Sequence, residues 1–514
     1  MSTSLIINVG PSETRVALVE NGLPIEIHVD RLTDRGVVGN VYRGRVVRVL
    51  PGMQAAFVEI GLDRTAFLYV DDAMPKPVGP AEGEDDAEAP ADSGEPRPNH
   101  GRRGFRAGPV GNIADVVRTG QEILVQVQKE PIGTKGARLT RHVSIPGRHL
   151  VYLPFSEHIG VSRRIEDQAE RERLRGILTA ANALGGGFIV RTAAEGVEGD
   201  VLAREATVLR QIWADVAKRG EQGSTPRLVF ADLDLALRAA RDLFDEDVER
   251  IVIDSAEDFE RVRDFVRTFA PERLSAIQLH DSPQPVFDAF GIEVELERAL
   301  ERRVWLKSGG TIVIDEAEAL TVIDVNSGRF VGKSSLEETI TQINLEAVKE
   351  LVYQLRLRNI GGIVIVDFID MSAAANRDKV LTALQEALRR DKAKTTIVRM
   401  SEIGLVEMTR KRVRESLGQL LTEACPTCEG RGHVKSEATI ASEILRAIVR
   451  HLAHAHAPTV LVNMQREMAD YLYETQQAAI ERIERRFRAQ VIPIARTGFT
   501  RERYELVSTA GVGG

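Results

Sequence analysis

The stretch "GGTIVIDEAEALTVIDVNSGRFVGKSSLEETITQINLEAVKELVYQLRLRNIGGIVIVDFIDM", residues 309–371, carries the pattern from which the fold class is read. "TIVID" and "LTVIDV" are apolar runs rich in β-branched residues, separated by "EAEA", and read as strands. "SSLEET" holds two overlapping Ser-x-x-Glu pairs, Ser334/Glu337 and Ser335/Glu338, the signature of a helix start. Leu336, Ile340, Ile343, Ala347, Leu351 and Leu355 then recur at helical spacing as a core-facing stripe. Gly361 and Gly362 stop the helix, and "IVIVDF" reads as a buried strand. A strand–helix–strand crossover joins parallel, commonly neighbouring strands with right-handed chirality. The expectation is an α/β fold.

Asp324 and Asp367 each close the C-terminal end of one crossover strand. Adjacent strands lie roughly 4.8 Å apart, so the two carboxylates would face one small volume. Like charges held that close raise each other's pKa unless a cation lies between them. Magnesium suits the arrangement, because it binds through one or two carboxylates and keeps positions for water and phosphate oxygens. Asn326 and Asp370 stand beside the pair. An Asp after a strand can also be a plain turn residue or helix cap. "GRFVGKSS" invites a phosphate-loop reading, but that loop needs a glycine where Ser327 stands, and Gly328 is one residue short.

Further from this stretch, residues 5–29 alternate as strands, and residues 39–70 give three short β runs broken by Pro51-Gly52 and Gly61. Phe57 and Phe67 interleave there with Arg and Gly, as in oligonucleotide-binding barrels that stack bases on aromatics; both rings could equally fill a small barrel. Residues 164–184 and 200–220 read as helices around "GGGFIVRTAAEG", where Arg191 and Thr192 end an apolar strand. A guanidinium beside a hydroxyl suits a phosphate, although a surface Arg is the plainer alternative. At 514 residues the chain should hold three to five domains.

The formal charge of −8 seems to argue against a nucleic-acid partner, but nine acidic residues and one Lys between Asp71 and Glu95 account for all of it. That segment is rich in Pro, Ala and Gly and should be disordered. The only two cysteines are Cys425 and Cys428 in "EACPTCEG". They could be a redox pair, chance surface thiols, or half of a zinc site, with His433 a candidate third ligand. The simplest tetrahedron pairs two thiolates from each of two copies, a homodimer around one shared Zn²⁺. No signal peptide pattern or apolar run of ~20 residues is present, so a cytoplasmic location is expected.

The stretches "NVYRGRVVRVLPGMQAAFVEIGLDRTAFL", "GTKGARLTRHVSIPGRHLVYLP", "SRRI", "GGFIVRTAAEG", "SGGTIVIDEAEALTVIDVNSG", "NLEA", "QLRLRNIGGIVIVDFIDM" and "CPTCEGRG" together resemble the ribonuclease E/G family. The resemblance implies a multidomain α/β chain. Residues 1–35 and 236–299 would be two parts of an RNase H-like subdomain, split by an S1 RNA-binding barrel over 36–140 and a 5′-sensor region over 141–235. A DNase I-like catalytic subdomain (300–421), a zinc link (422–435) and a small α/β domain (436–514) would follow.

It further implies that Asp324 and Asp367 hold a catalytic Mg²⁺ and that Asn326 assists at the scissile phosphate. Gly147, Val151, Arg191 and Thr192 would grip a 5′-monophosphate, and Phe57, Phe67 and Lys135 would contact single-stranded RNA. Cys425 and Cys428 match the shared zinc link, within dimers paired into tetramers. Two departures stand out. An acidic insertion, roughly 72–109, interrupts the S1 region, and the chain ends without the long scaffolding tail of the family's longer members, as a short form or a truncated chain would. The expected activity is Mg²⁺-dependent endonucleolytic cleavage of single-stranded, AU-rich RNA in rRNA and tRNA maturation and mRNA decay, stimulated by a 5′-monophosphate. Products would carry 5′-phosphate and 3′-hydroxyl ends. The competing class is a non-catalytic S1-domain RNA-binding or ribosome-associated protein, which would have no need of Asp324 and Asp367.

Overall fold

The computed structural model describes residues 2–32, 36–74, 112–131, 136–181, 185–328, 336–389, 391–401, 403–455 and 457–509. The chain forms two compact units, Met1–Leu420 and Leu421–Gly514. The class is mixed α/β with several layers and a closed barrel.

In the first unit, strands Thr3–Val9, Glu13–Glu20 and Leu23–Arg31 form an antiparallel meander. Thr3–Val9 also pairs in parallel with Arg250–Ile253, which pairs with Ile277–Leu279, so one sheet draws on both ends of a long chain segment. Helices Leu235–Asp242 and Ala256–Phe269 cover it over Leu5, Ile7, Val16, Leu18 and Ile251.

Between those ends, Val41–Leu50, Ala55–Glu59, Ala66–Tyr69, Arg138–Thr140 and Glu122–Lys129 pair in that order, and the last bonds back to the first, closing a five-stranded barrel. Val46, Ala56, Val58, Ala66, Leu68, Val125 and Leu139 fill it. Gly44 is required there, because a Cβ would stand 2.7 Å from Val58 Cγ1 and 2.9 Å from the Glu59 carbonyl. Asp72 corrects the start of the acidic insertion. It lies in the short helix Val70–Ala73, is buried, and accepts bonds of 2.9 and 2.8 Å from Arg138, so it belongs to the barrel wall. Residues 75–109 of that insertion lie outside the described residues.

A third layer sets strands Ile145–Pro146, Leu150–Leu153, Gly187–Val190 and Ile159–Val161 against helices Gln168–Ala181 and Gly199–Glu221. The fourth is a six-stranded sheet in the order Arg303–Trp305, Thr311–Glu316, Leu320–Asn326, Gly362–Asp367, Leu405–Arg410, Thr395–Met400. Within it, Leu320–Asn326 and Gly362–Asp367 are parallel neighbours, joined through helix Leu336–Leu357, as the crossover pattern predicts. Helices Leu336–Leu357 and Ala374–Leu388 cover one face with Ile343, Ala347, Leu351, Leu355, Val380 and Leu384.

Three details of this crossover differ from the sequence reading. Leu336 is 77% exposed, so the buried stripe begins further along the helix. Ser334 and Ser335 lie outside the described residues, while Glu337 accepts bonds from Ser372 N, Ala373 N and Asn376 Nδ2, capping the start of the next helix. The left-handed residue that ends the helix is Asn359 (φ 52°), not Gly361; its Nδ2 donates to the carbonyls of Arg414 and Glu415.

Behind the sheet, Arg410 and Asp391 form a buried pair, bonded at 2.6 and 3.1 Å, with Arg410 also donating to the Ile360 carbonyl at 2.8 Å. Removing one partner strands a buried charge. Asp391→Ala is therefore expected to cost about 3–5 kcal/mol in denaturant unfolding.

The second unit has a three-stranded sheet in the order Gln490–Ala495, Thr459–Met464, Tyr504–Thr509, packed with helices Glu437–Ala455, Arg466–Thr475 and Gln477–Phe487 around Ile444, Ile448, Val460, Val462, Met468 and Leu472. Among the described residues no helix is long and apolar enough to cross a membrane.

Candidate active site and nucleic-acid interface

Alternation along Leu320–Asn326 buries Thr321, Ile323 and Val325 beneath the helices and turns Val322, Asp324 and Asn326 to the open face. Gly362–Asp367 behaves alike and ends on exposed Asp367. In the parallel register, Asp324 and Asp367 are direct partners, so their backbones stand roughly 4.8 Å apart. Asn326 Nδ2 donates to Asp324 Oδ2 at 2.8 Å. Partial burial, then the negative charges of Asp324 and Asp370, push the Asp367 carboxyl above the usual carboxylate range. The pair is thus held in mutual repulsion that a cation would relieve.

The donor set tests which cation fits. Among the described residues no three His, Cys, Asp or Glu side chains gather tightly enough to enclose a metal. Two exposed carboxylates do not make a calcium cage or a closed zinc tetrahedron. They do fit magnesium, whose remaining positions go to water and phosphate oxygens.

Asn344 is a contributor that the sequence reading did not single out. It is fully buried within the helix stripe, and its amide donates to the Ile369 carbonyl at 2.8 Å and accepts from Ile369 N at 3.1 Å. This reciprocal pair fixes the chain just beyond Asp367. A polar residue inside an apolar stripe, in "NLEA", was the available signal.

Gly147, Val151, Arg191 and Thr192 gather at one sheet of the third layer. Val151 pairs with Ile189 and Pro146, Arg191 N donates to the His149 carbonyl at 2.8 Å, and Arg191 Nη1 donates to the Gly147 carbonyl at 2.9 Å. Thr192 Oγ1 lies 3.0 Å from Ser162 Oγ. The guanidinium is not a bare surface charge: Nη1 also reaches Asp242 Oδ1 at 2.8 Å. Burial would raise the Asp242 carboxyl, but its bonds to Arg241 and the charge of Arg191 hold it below the usual range.

Beneath the Gly147–Leu150 turn lies the buried carboxylate of Glu205. It accepts from His149 N at 2.9 Å and Leu150 N at 3.2 Å, and meets His149 Nδ1 at 2.7 Å. A Cβ on Gly147 would stand 2.3 Å from Glu205 Oε1, which explains the glycine. Neither Asp242 nor Glu205 was legible, because both act across more than 50 residues of chain.

On the barrel, Phe57 and Phe67 are cross-strand partners, both half-buried. Their neighbours Ala56, Val58, Ala66 and Leu68 fill the interior, so the rings point outward and do not form the barrel core. Tyr69 extends the surface, edge-on to Phe67 at 5.3 Å between centroids, with the Arg138 guanidinium 5.2 Å from its ring. The Phe-x-Tyr spacing of two was its signal. Lys135 lies outside the described residues.

In the second unit Cys425 and Cys428 are free thiols; Cys425 is exposed and Cys428 half-buried. Amide N–H groups of Cys428 and Thr427 lower the Cys425 thiol pKa, favouring the thiolate that a metal takes. Glu429 N donates to the Cys425 carbonyl, and Glu429, Gly430 and Gly432 take positive φ, which folds the strip into successive tight turns. His433 does not join the thiols in a three-ligand cluster among the described residues. The cysteines precede the first strand of their sheet rather than joining a strand to a helix N-terminus.

Comparison with known proteins adds to this geometry. The profile of the Ribonuclease E/G family matches residues 144–413, and that described as "RNase E/G, Thioredoxin-like domain" matches residues 424–509. Ribonuclease G of Escherichia coli (strain K12) is 43% identical over 512 residues, covering 99% of this chain and 100% of its own. Ribonuclease G of Haemophilus influenzae is 45% identical over 449 residues, 87% of each chain. Ribonuclease E of the same organism is 35% identical over 494 residues, 96% of this chain and 50% of its own.

Proposed function

The chain belongs to the ribonuclease E/G family and is accordingly an endoribonuclease; from that premise we infer that it cuts single-stranded RNA at Asp324 and Asp367 in a magnesium-dependent reaction. The observation that carries this reading is the register pairing of the two carboxylates on the open sheet face. The products would bear 5′-phosphate and 3′-hydroxyl ends. Unpaired AU-rich segments, whose bases splay out for reading, would be preferred in rRNA and tRNA maturation and mRNA decay.

The proposed layout is an RNase H-like subdomain (1–35 and 236–299), an S1 barrel (36–140), a 5′-sensor region (141–235), a DNase I-like catalytic subdomain (300–421), a zinc link (422–435) and a small C-terminal domain (436–514). The location proposed is the cytoplasm. Cys425 and Cys428 would hold Zn²⁺ together with the same two residues of a second copy, in dimers that pair into tetramers.

Magnesium, when bound by Asp324 and Asp367, supplies a Lewis acid for the phosphoryl oxygen and a water of lowered pKa. Everything else falls to the chain. Asn326 steadies the Asp324 carboxylate through one amide N–H and would offer its second N–H to the scissile phosphate. Asn344 holds the turn after Asp367, so that this carboxylate does not swing away. Phe57, Phe67 and Tyr69 offer stacking surfaces, with Lys135 as a further RNA contact, so affinity should depend steeply on salt and loosely on sequence.

Remote grip on the 5′ end would add orientation at the cut. Gly147, Val151, Arg191 and Thr192 would receive one phosphate, which displaces Asp242 from the guanidinium. The test is cleavage of a short 5′-monophosphorylated RNA with and without Mg²⁺, beside its 5′-triphosphorylated twin. Cutting only with Mg²⁺, and faster on the monophosphate, is the expected result. Equal cutting of both ends would remove the sensor, and metal-independent cutting would remove the site. Glu205→Ala, which unpins the Gly147–Leu150 turn, is expected to reduce the monophosphate preference about tenfold, the scale at which support for a ligating group is lost. An unaltered preference would assign Glu205 to packing alone.

A further inference from the structure

The open face of the six-stranded sheet carries a feature that the cleavage reading does not use. Trp305 is 67% exposed, more than any other aromatic among the exposed large apolar side chains of the described residues. Among the described residues its ring has no aromatic or cationic neighbour in stacking range. A single exposed apolar side chain is ordinary, but Trp has an unusually large apolar face and is enriched where surfaces make contacts.

The register says what lies beside it. Arg303 pairs with Val313, Val313 with Asp324, and Asp324 with Asp367, in one continuous row. Trp305 pairs with Thr311, and Thr311 with Asn326, in the next row. Cross-strand partners share a face, and Val304 between them packs on the helix-covered core. Arg303 and Trp305 therefore stand on the same open face as the carboxylates. Two strand spacings, roughly 10 Å, separate Trp305 from Asn326. A single strand of RNA crosses that span in about one or two nucleotides.

Charge permits an RNA occupant, with Glu301 the one acid among the residues lining the cavity beside Trp305. Arg302 is tied to Asp315 by its Nη2 at 2.7 Å, which neutralises the acid on that side, while Arg303 is exposed. Arg302, Arg303, Trp305, Val313 and Glu301 border a shallow cavity of about 390 Å³ beside the row. A guanidinium two residues from an exposed indole, on one face, is the combination that holds a backbone phosphate and stacks its base.

We propose that Trp305, with Arg303, forms a nucleobase-stacking subsite one or two nucleotides from the cleaved bond. The subsite rests on the reading of Asp324 and Asp367 as the cleavage site. It orients the RNA on the catalytic face independently of the barrel, and favours unpaired substrate because a paired base cannot turn onto the ring.

The chain has only two tryptophans, and Trp213 is half-buried against Phe155 at 5.2 Å, so indole fluorescence separates them. The full chain is titrated, without Mg²⁺, with a 5′-monophosphorylated ten-nucleotide RNA. Quenching is expected in the wild type and is expected to lose its larger component in Trp305→Ala. With Mg²⁺, Trp305→Ala should raise KM roughly 5- to 150-fold, the range for loss of one stacked base, while Trp305→Phe stays within about threefold. The same RNA with one abasic nucleotide, moved stepwise, should abolish the Trp305→Ala penalty at a single position, one or two nucleotides from the cut.

An unchanged KM and quench, or an equal penalty on every abasic substrate, overturns the subsite. So does a change in native mass on Trp305→Ala, which would mean that a second copy covers the ring. Cleavage by Asp324→Asn at the wild-type rate would instead overturn the catalytic reading, and the Mg²⁺-free quench is read separately from it.

Discussion

Asp324→Asn is expected to lower the cleavage rate at least about 10³-fold while RNA affinity changes little. A bound cation contributes several kcal/mol at the transition state, and each 1.36 kcal/mol is about tenfold in rate. The substitution keeps the shape of the side chain and removes the charge that would attract the ion. Asp367→Asn should match it, and the double variant should be little worse than either, because groups that act as one unit do not add. Asn326→Ala should be milder, about 10²-fold, on the scale of one lost polar contact at the reacting group.

A stability measurement separates this account from plain misfolding. The two carboxylates repel, and Asp367 is held above its ordinary pKa by burial and by Asp324 and Asp370. Neutralising one relieves the repulsion, so metal-free Asp324→Asn should melt no lower than the wild type. Added Mg²⁺ should raise the melting temperature of the wild type and not of the variant, since only the former gains binding energy in the folded state. A variant that melts lower and still cleaves would remove the pair from the active site.

The second large effect concerns assembly. If the proposed zinc link joins two copies, Cys425→Ser is expected to halve the native mass of the assembly and to leave no bound zinc, with Cys428→Ser behaving alike. Structural Zn²⁺ on thiolates is worth about 10–16 kcal/mol, so losing two of four donors should abolish the link. Native mass spectrometry with metal analysis should give one zinc per two wild-type chains and none in either variant. The small domain should keep its circular dichroism, because its core of Ile444, Ile448, Val460 and Met468 does not involve the cysteines. One zinc per chain would show that a single copy completes the tetrahedron.

The crossover was readable because its signals are local. Short β-branched apolar runs ending on Asp, with a helical stripe between them, permit few topologies, and parallel neighbours put Asp324 opposite Asp367. What stayed hidden depends on partners distant in the chain. Nothing near Arg191 announces that Asp242 opposes it, and Glu205 looks like one more helix carboxylate until the fold sets it under His149 and Leu150. Asp72 read as the start of an acidic tether because its partner Arg138 lies 66 residues away. At the helix end local propensity favours the two downstream glycines over Asn359, although Asn359 is the residue that turns left-handed first. Trp305 was hidden for the same reason. Its strand of three residues, Arg-Val-Trp, is too short to show alternation, and only the register reveals which side of the sheet it occupies.

The first strand, Thr3–Val9, finds a parallel neighbour only at Arg250–Ile253, with Ser4 opposite Arg250. During synthesis at about 5–20 residues per second, the opening strands leave the ribosome roughly 10–50 s before that neighbour exists. The barrel has all five of its strands by Thr140 and can close during the wait. The N-terminal hairpins meanwhile keep a bare hydrogen-bonding edge, a template for mispairing with another strand until Arg250–Ile253 arrives to cover it.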